Sequence, residues 1–162
     1  MPSEPVTVRW AVESDVATIV GFIRELAEFE HLAHEVVIEA RDLSSALFDA
    51  NPVVEAVVAE IDGDVAGFAL FFRSFSTFIG RPGLYLEDLY VKPNLRGRGV
   101  GRALLIHLAK TAAERGYGRM EWAVLNWNRR AIDFYERIGA VPMAEWTTYR
   151  LTGRSLSKTA QR

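Results

Sequence analysis

The sequence predicts a single domain of the α+β or mixed α/β class. Its 162 residues suit one domain rather than several. With 49% hydrophobic and 25% charged residues, the chain is typical of a globular protein that buries its own core. The apolar periodicity changes along the chain in the order β-α-α-β-β-β-α-β-α-β-β. We therefore expect one domain over residues 1–152 and a polar, frayed tail over 153–162.

The first third of the chain predicts one strand and two helices. Residues 6–11 alternate between apolar and polar side chains, as in a half-buried strand. Ser14 or Asp15 is suited to cap a helix whose apolar stripe continues to about His31. A shorter helix is predicted over residues 40–49, just before a proline.

Three strands follow. Residues 53–61 and 65–72 read as two strands joined by Asp62-Gly63-Asp64, a sequence typical of hairpin turns because glycine tolerates positive φ. A loop is predicted over residues 73–83. Residues 84–92 then form a third, strongly apolar strand.

The remainder predicts two more helices separated by a strand. The first helix runs from a glycine-rich segment to about Arg115, and residues 120–125 form the strand. Asn128 is suited to cap the second helix, which a glycine ends. Residues 141–151 offer one or two further strands.

Composition excludes several classes of function. The 19 basic and 21 acidic residues give a net charge of -2, which is not the surplus of cations that nucleic-acid binding requires. The chain has no cysteine, so disulfides, thiolate metal sites and acyl-cysteine intermediates are excluded. Residues 1–5 contain no apolar signal core, and no stretch reaches the ~18 apolar residues of a membrane span. We expect a cytoplasmic protein with no membrane or nucleic-acid partner.

A glycine-rich segment that leads directly into a helix carries the chemistry. Glycine lets the backbone approach a ligand closely, and the free N–H groups of a helix start attract phosphate oxygens. The glycines are Gly97, Gly99 and Gly101. The nearby cations are Arg96, Arg98 and Arg102. This combination predicts a diphosphate ligand.

Other interpretations of the segment remain open at this point. A P-loop would need Gly-Lys-Ser/Thr, which is absent. A dinucleotide fingerprint would need glycine where Arg102 stands, although Glu121 lies about twenty residues further on. A solvated basic turn that simply starts a helix is the third interpretation.

Residues 96–101 resemble the [Arg/Gln]-x-x-Gly-x-[Gly/Ala] motif of the GCN5-related N-acetyltransferases (GNAT). Further segments resemble the diamine and thialysine branch of that family, and together they span about Val6 to Leu151. These segments are residues 23–30, 84–91, 123–131 and 134–140.

The resemblance implies a mixed, mostly antiparallel sheet of about six to seven strands, flanked by about four helices. The sheet splays open beside the strand 84–91, and acetyl-CoA lies in the opening with its pyrophosphate on the 96–101 amides. Cofactor contacts are implied at Leu89, Tyr90, Val91, Arg96, Gly97, Arg98, Gly99, Val100, Gly101, Arg102, Asn128 and Tyr135. By its spacing alone Asn128 is a helix cap, and both roles are compatible.

Alternation in the strand 84–91 predicts one carboxylate on each face. The first face holds Leu84, Leu86, Asp88 and Tyr90. The second holds Tyr85, Glu87, Leu89 and Val91. Carboxylates on a strand that is covered on both sides are costly unless they are paired or functional.

The catalytic roles follow from the resemblance. Glu87 is the expected base, acting through a water, and Asp88 is an alternative base or an amine contact. Tyr135 is the expected acid for the departing thiolate, although periodicity alone reads it as a core aromatic. Because the chain has no cysteine, the acetyl group should pass directly from thioester to amine.

The amine site is expected to include Glu30 together with Glu87 and Asp88, and to have Trp127 as a wall or packing anchor. A solvated helix face is the alternative for Glu30 and its acidic neighbours, Glu28 and Glu35. His31 and His34 lack a third ligand, so no metal site is expected.

The resemblance implies a homodimeric enzyme that acetylates a small primary amine. The acidic polyamine contacts of the diamine enzymes fall near Thr77 and Thr147, which are neutral. This weakens spermidine and spermine as substrates and favours a thialysine- or lysine-like amino acid over a diamine or polyamine. The alternatives are a CoA-binding sensor without turnover and a protein N-acetyltransferase.

Overall fold

The computed structural model describes residues 5–161, and the chain divides after Ala123 into two compact units. The first unit contains β1 Thr7–Trp10, α1 Val16–Phe29, α2 Ala40–Phe48, β2 Glu55–Ile61, β3 Asp64–Ser76, β4 Arg81–Val91, α3 Val100–Glu114 and β5 Met120–Glu121. The second unit contains α4 Arg129–Arg137 and α5 Gly153–Ala160. Residues 1–4, where no signal core is expected, and residue 162 lie outside the described part.

The five strands form one sheet in the order β1-β2-β3-β4-β5. Neighbouring strands are antiparallel except β4 and β5, which are parallel. This confirms the mixed, mostly antiparallel α/β fold, with five strands instead of six to seven and five α-helices instead of about four in residues 5–161. No helix of the described chain is long and apolar enough to span a bilayer.

Helices cover both faces of the sheet in the first unit. On one face α1 and α2 bury an apolar cluster that includes Ile19, Phe22 and Leu43, and the Phe22 ring lies 6.1 Å from that of Phe68. On the other face α3 buries its own apolar stripe. There the ring of Trp10 lies 5.8 Å from His107 of α3.

The predicted loop over residues 73–83 is wrong. β3 continues to Ser76 and β4 begins at Arg81, so a long hairpin replaces most of the loop. The rings of Phe72 and Tyr85 stack across its two strands at 5.0 Å. The mixture of polar and small residues hid this pairing, because cross-strand contacts rather than alternation stabilise it.

The strands expected near the end of the chain are shorter or absent. β5 covers two residues instead of 120–125, and residues 141–151 form no strand within the described chain. The tail expected to be frayed contains α5 instead. Local alternation does not provide a pairing partner, so it overpredicts strands at a chain end. The domain limits 1–152 and 153–162 remain a prediction.

Candidate active site

A β-bulge in β4 changes the face of the sheet on which the strand places Asp88. Leu70 and Phe71 are consecutive on β3, yet they pair with Asp88 and Leu86, which leaves Glu87 as the extra residue. Consecutive strand residues face opposite sides, so Leu86 and Asp88 also face opposite sides. The prediction that Leu84, Leu86, Asp88 and Tyr90 share one face is therefore wrong, because the inserted residue reverses the alternation.

The bulge places Asp88 on the face that α1 covers. Asp88 pairs with Leu70 and Tyr90 pairs with Phe68, and all but Asp88 belong to the apolar cluster beneath α1 and α2. A carboxylate thus continues a buried apolar row. Leu86 instead pairs with Phe71 and lies on the face of α3.

The carboxyl-terminal half of β4 has an open edge in the first unit. Within residues 5–161, β5 pairs with β4 only at Leu84 and Tyr85. The N–H of Lys92 donates to Ala66 of β3, so the main-chain groups of Leu89 and Val91, which lie at odd spacing from Lys92, point to the opposite edge. These are two of the residues for which cofactor contacts are expected.

The glycine-rich segment reaches α3 beside this edge. Gly97 and Gly99 have φ of 81° and 86°, a left-handed conformation that strains other residues. No atom lies within 4 Å of a Cβ added at either position, so both backbones border open space. Gly99 caps α3, and Gly101 lies beside Val91, with 3.8 Å from its added Cβ to Val91 Cγ2.

The N–H groups of the first turn of α3 have no acceptor within the helix, because helix geometry places none there. The exposed residues Arg98 and Arg102 add positive charge to the same region. Val100 is buried and anchors the start of the helix. The segment therefore combines exposed donors, cations and a fixed backbone, as an anionic ligand requires.

Arg96 occupies a different position from the other two arginines. Its Nε donates to the Val91 carbonyl at 3.0 Å. Its guanidinium lies 5.1 Å from the centre of the Phe29 ring and 5.9 Å from that of Tyr90. Tyr90 is buried, and its hydroxyl donates to Glu25. The sequence did not indicate Phe29 as a partner of Arg96, or Glu25 as a partner of Tyr90. The positions of these two residues next to the apolar stripe of α1 were the only signal available.

The structure brings three predicted carboxylates into one electrostatic group. Burial, followed by the negative charges of Glu87 and Glu30, raises the pKa of Asp88 to about 6. Burial also raises the pKa of Glu30, which directly follows α1. Glu87 is exposed. A half-buried and an exposed carboxylate beside each other are suited to accept and relay a proton near neutral pH.

Two further residues lie close to Glu87. Burial raises the pKa of Tyr85, and the charges of Glu87 and Glu121 contribute. Glu121 pairs with Tyr85 across β4 and β5 and forms an ion pair with Arg119 at 2.9 Å. No pattern in the sequence connects Glu121 with this group, since the connection depends on the register of a two-residue strand.

The remaining predicted site residues belong to the second unit. Asn128 caps α4, and its Oδ1 accepts from the Ala131 N–H at 3.3 Å, which confirms the predicted cap. Trp127 is 49% exposed. Tyr135 is half-buried, with its ring 5.7 Å from that of Phe134. In residues 5–161 no group of three or more acidic or histidine side chains is arranged to hold a metal ion.

Comparisons with known proteins identify the family of the chain. The model of the acetyltransferase (GNAT) family matches residues 22–140. A thialysine N-epsilon-acetyltransferase of Mus musculus is 38% identical over 166 residues, covering 96% of this chain and 97% of the relative. An L-ornithine N5-acetyltransferase of Arabidopsis thaliana is 32% identical, covering 92% of this chain and 85% of the relative.

Solved structures share the fold. An integron cassette protein of V. cholerae superposes with a TM-score of 0.80 at 28% identity, covering 97% of this chain and 98% of that one. An aminoglycoside acetyltransferase from a soil metagenome reaches a TM-score of 0.76 at 17% identity, covering 92% and 97%, which shows a common fold only. The chain belongs to the GNAT family and is an acetyltransferase.

Proposed function

We propose that the protein transfers an acetyl group from acetyl-CoA directly to the primary amine of a small molecule. One observation carries this proposal. The bulge at Glu87 turns Asp88 toward the face where Glu30 lies, immediately before the open edge of β4 at Leu89 and Val91. An anion-binding segment and a cation-binding group of carboxylates thus lie at the two ends of one short stretch of strand.

The residues present fit acetyl-CoA. The open space beside Gly97 and Gly99 gives a diphosphate close access to the backbone, and the first-turn amides of α3 supply donors. Arg98 and Arg102 add positive charge that would offset the negative charge of the diphosphate. The main chain of Leu89 and the N–H of Val91, whose carbonyl already accepts from Arg96, would hold the pantetheine arm at the open edge, and the resemblance adds Asn128 to the proposed cofactor contacts. When bound, the donor supplies an activated acyl carbon.

The protein's main chemical task is to deprotonate the amine. An alkylamine with a pKa near 10.4 lies about 3.4 units, or roughly 4.6 kcal/mol, from its neutral form at pH 7. In the proposed mechanism Asp88 and Glu30 bind the ammonium, and Glu87 accepts its proton through a water. The exposure of Glu87 supports this division, because a relay to solvent needs an exposed group.

Tyr135 is proposed to stabilise the departing thiolate. The amine nitrogen forms a bond to the acyl carbon and releases its second proton to solvent, the carbon–sulfur bond breaks, and the sulfur leaves as a thiolate that takes up a proton from solvent. A phenol near pKa 10 can donate a hydrogen bond to a thiolate near 8.5, whereas complete transfer is uphill. The Tyr135 hydroxyl therefore contributes a modest part of the rate.

Two relatives favour an amino acid as acceptor. Their names specify thialysine and L-ornithine, which both carry a terminal amine on an α-amino acid. Thr77 and Thr147 are neutral and exposed, so the acidic contacts expected for a long polyamine are missing at these positions. We propose a thialysine- or lysine-like amino acid ahead of diamines and polyamines.

An acetylation screen tests the proposal. Purified protein, acetyl-CoA and one amine at a time (thialysine, lysine, ornithine, a diamine, spermidine or an aminoglycoside) are followed by thiol release and product mass. We expect thialysine or ornithine to show the highest kcat/KM. Binding of acetyl-CoA without thiol release on any amine would identify a sensor instead, and acetylation of protein lysines alone would identify a protein acetyltransferase.

We further propose a homodimer, as in the enzymes that the sequence resembles. Sedimentation equilibrium should give twice the mass of the 18.2 kDa chain. A monomeric mass in the concentration range that supports turnover would contradict this part of the proposal.

A further inference from the structure

The position of Arg96 indicates a role beyond the proposed chemistry, and this inference rests on the proposed function. As the first residue of the glycine-rich segment it was expected to attract the diphosphate. Its side chain instead contacts the end of α1 and the carbonyl of Val91. We infer that Arg96 is a positioning residue for the amine acceptor, fixing the end of α1 that carries Glu30.

The guanidinium of Arg96 lies on the face of the sheet that α1 covers. Tyr90 lies on the face that α1 covers, and the guanidinium lies over the rings of Tyr90 and Phe29. Asp88 shares this face, because it is two residues before Tyr90. The first-turn amides suited to the diphosphate belong to α3, which packs on the other face. The charge of Arg96 is thus directed to the acceptor side.

The surface that the Arg96 guanidinium contacts is rigid. The Tyr90 ring lies 5.1 Å from Phe22 within the core, and its hydroxyl is tied to Glu25 of α1. The Nε hydrogen bond fixes the other end of the guanidinium to β4. A planar cation held between a strand and two aromatic rings fixes a helix end more firmly than a flexible ammonium would.

The ring that Arg96 contacts lies next to a carboxylate in the sequence. Phe29 is the last residue of α1, and Glu30 directly follows it. The charge of Glu30 acts on Asp88, so the carboxylates respond to where α1 ends. Phe29 is 40% exposed, whereas Phe22 is buried in the core. The Arg96 contact with the Phe29 ring therefore acts on the end of α1, one residue before Glu30.

A double-mutant cycle tests the inference. Arg96→Lys keeps the charge but removes the Nε donor and the planar contact, and Phe29→Leu removes the ring without touching the cofactor segment. Each single variant should raise the KM for the amine roughly three- to tenfold. Each should leave kcat and the acetyl-CoA Kd, measured by calorimetry, within about twofold. The KM of the double variant for the amine should be no higher than that of the more impaired single variant.

Phe48→Leu is the matched control. Phe48 is also the last residue of its helix and is 37% exposed, but no contact with Arg96 is found for it. This substitution should leave both the amine KM and the acetyl-CoA Kd unchanged. An equal rise in the amine KM would show a general response to a loosened helix end and would overturn the assigned role.

The remaining outcomes separate this inference from the proposed function. Additive effects of the two substitutions, or a rise in the acetyl-CoA Kd with an unchanged amine KM, would return Arg96 to the diphosphate and refute the positioning role. If the unaltered protein turned over none of the amines tested, the proposed function and this inference would both fail.

Discussion

The two halves of β4 differ sharply although they belong to one strand. The amino-terminal half, up to Leu86, is paired on both edges around Leu84 and buries its leucines. The carboxyl-terminal half begins at the bulge, has an open edge among the described residues of the first unit and carries two carboxylates. The first half stabilises the fold, and the second uses the rigidity of the first to hold groups that would otherwise be unfavourable there.

The largest expected effect comes from the base in the open half. Glu87→Gln should lower kcat roughly 10²- to 10⁴-fold, because the amine then loses its proton acceptor. The acetyl-CoA Kd should stay constant in calorimetry. Glu114→Gln, an exposed substitution at the end of α3, is the control. A Glu87→Gln enzyme with the original rate would transfer the base role to Asp88.

A cavity in the closed half should cost stability instead of activity. Leu84 is fully buried, so Leu84→Ala should lower the free energy of unfolding by about 2–5 kcal/mol. Urea titration measures this loss, and kcat/KM per folded molecule should change less than twofold. Leu89→Ala, in the half-buried open half, should cost less stability. The reverse ranking would contradict the division of β4.

The Tyr135 hydroxyl, in the second unit, is expected to contribute to turnover in addition to the carboxylates of the open half. Tyr135→Phe removes one hydrogen bond to a developing charge and should lower kcat roughly tenfold or more. Acetyl-CoA binding should persist, since the ring remains. Single-turnover kinetics would separate this step from product release. Equal turnover by both proteins would remove the Tyr135 hydroxyl from the mechanism.

The ionised Asp88 carboxylate in the open half of β4 should lower the free energy of unfolding. Its pKa is about 6 in the folded protein and 3.8 ordinarily, so the folded state binds more protons between these values. Stability from this group is therefore lost as pH rises from about 4 to 6. Asp88→Asn should be more stable than the original protein by about 1–2 kcal/mol at pH 8 and should lose amine turnover. A stability difference that does not vary with pH would contradict this assignment.

The smallest effect concerns the neighbour of Asp88. The negative charge of Glu30 raises the pKa of Asp88, so Glu30→Gln should move the acid limb of kcat/KM for the amine to lower pH, by less than about one unit. Initial rates between pH 5 and 8 would show the shift. A shift to higher pH would mean that Glu30 does not act on Asp88 through its charge.

Local signals in the sequence were sufficient for much of the fold. The apolar stripe of α1, the glycine turn between β2 and β3 and the cap at Asn128 each depend on residues that are close together in the sequence. Each was found where it was predicted. The resemblance added the mixed sheet and identified the family. The long hairpin of β3 and β4 was missed because its stability comes from contacts between strands.

The candidate site was predicted as a set of residues but not as an arrangement. Alternation assigned Asp88 to the face of Leu86, and one bulged residue reversed that assignment. Arg96 was grouped with the other cations, although its partners are a ring at the end of α1 and a carbonyl of β4. Register and packing set these positions, and neither can be read from spacing.

By itself the sequence determined the family, the order of most elements and the residue types available for acyl transfer, because these depend on composition and on patterns shorter than one helix or strand. Tertiary structure alone decided that Asp88 joins Glu30, that β4 opens beyond Tyr85 and that Arg96 meets Phe29. The physical reason is that these relations join residues far apart in the chain, and only the pairing register and the burial of charge fix them.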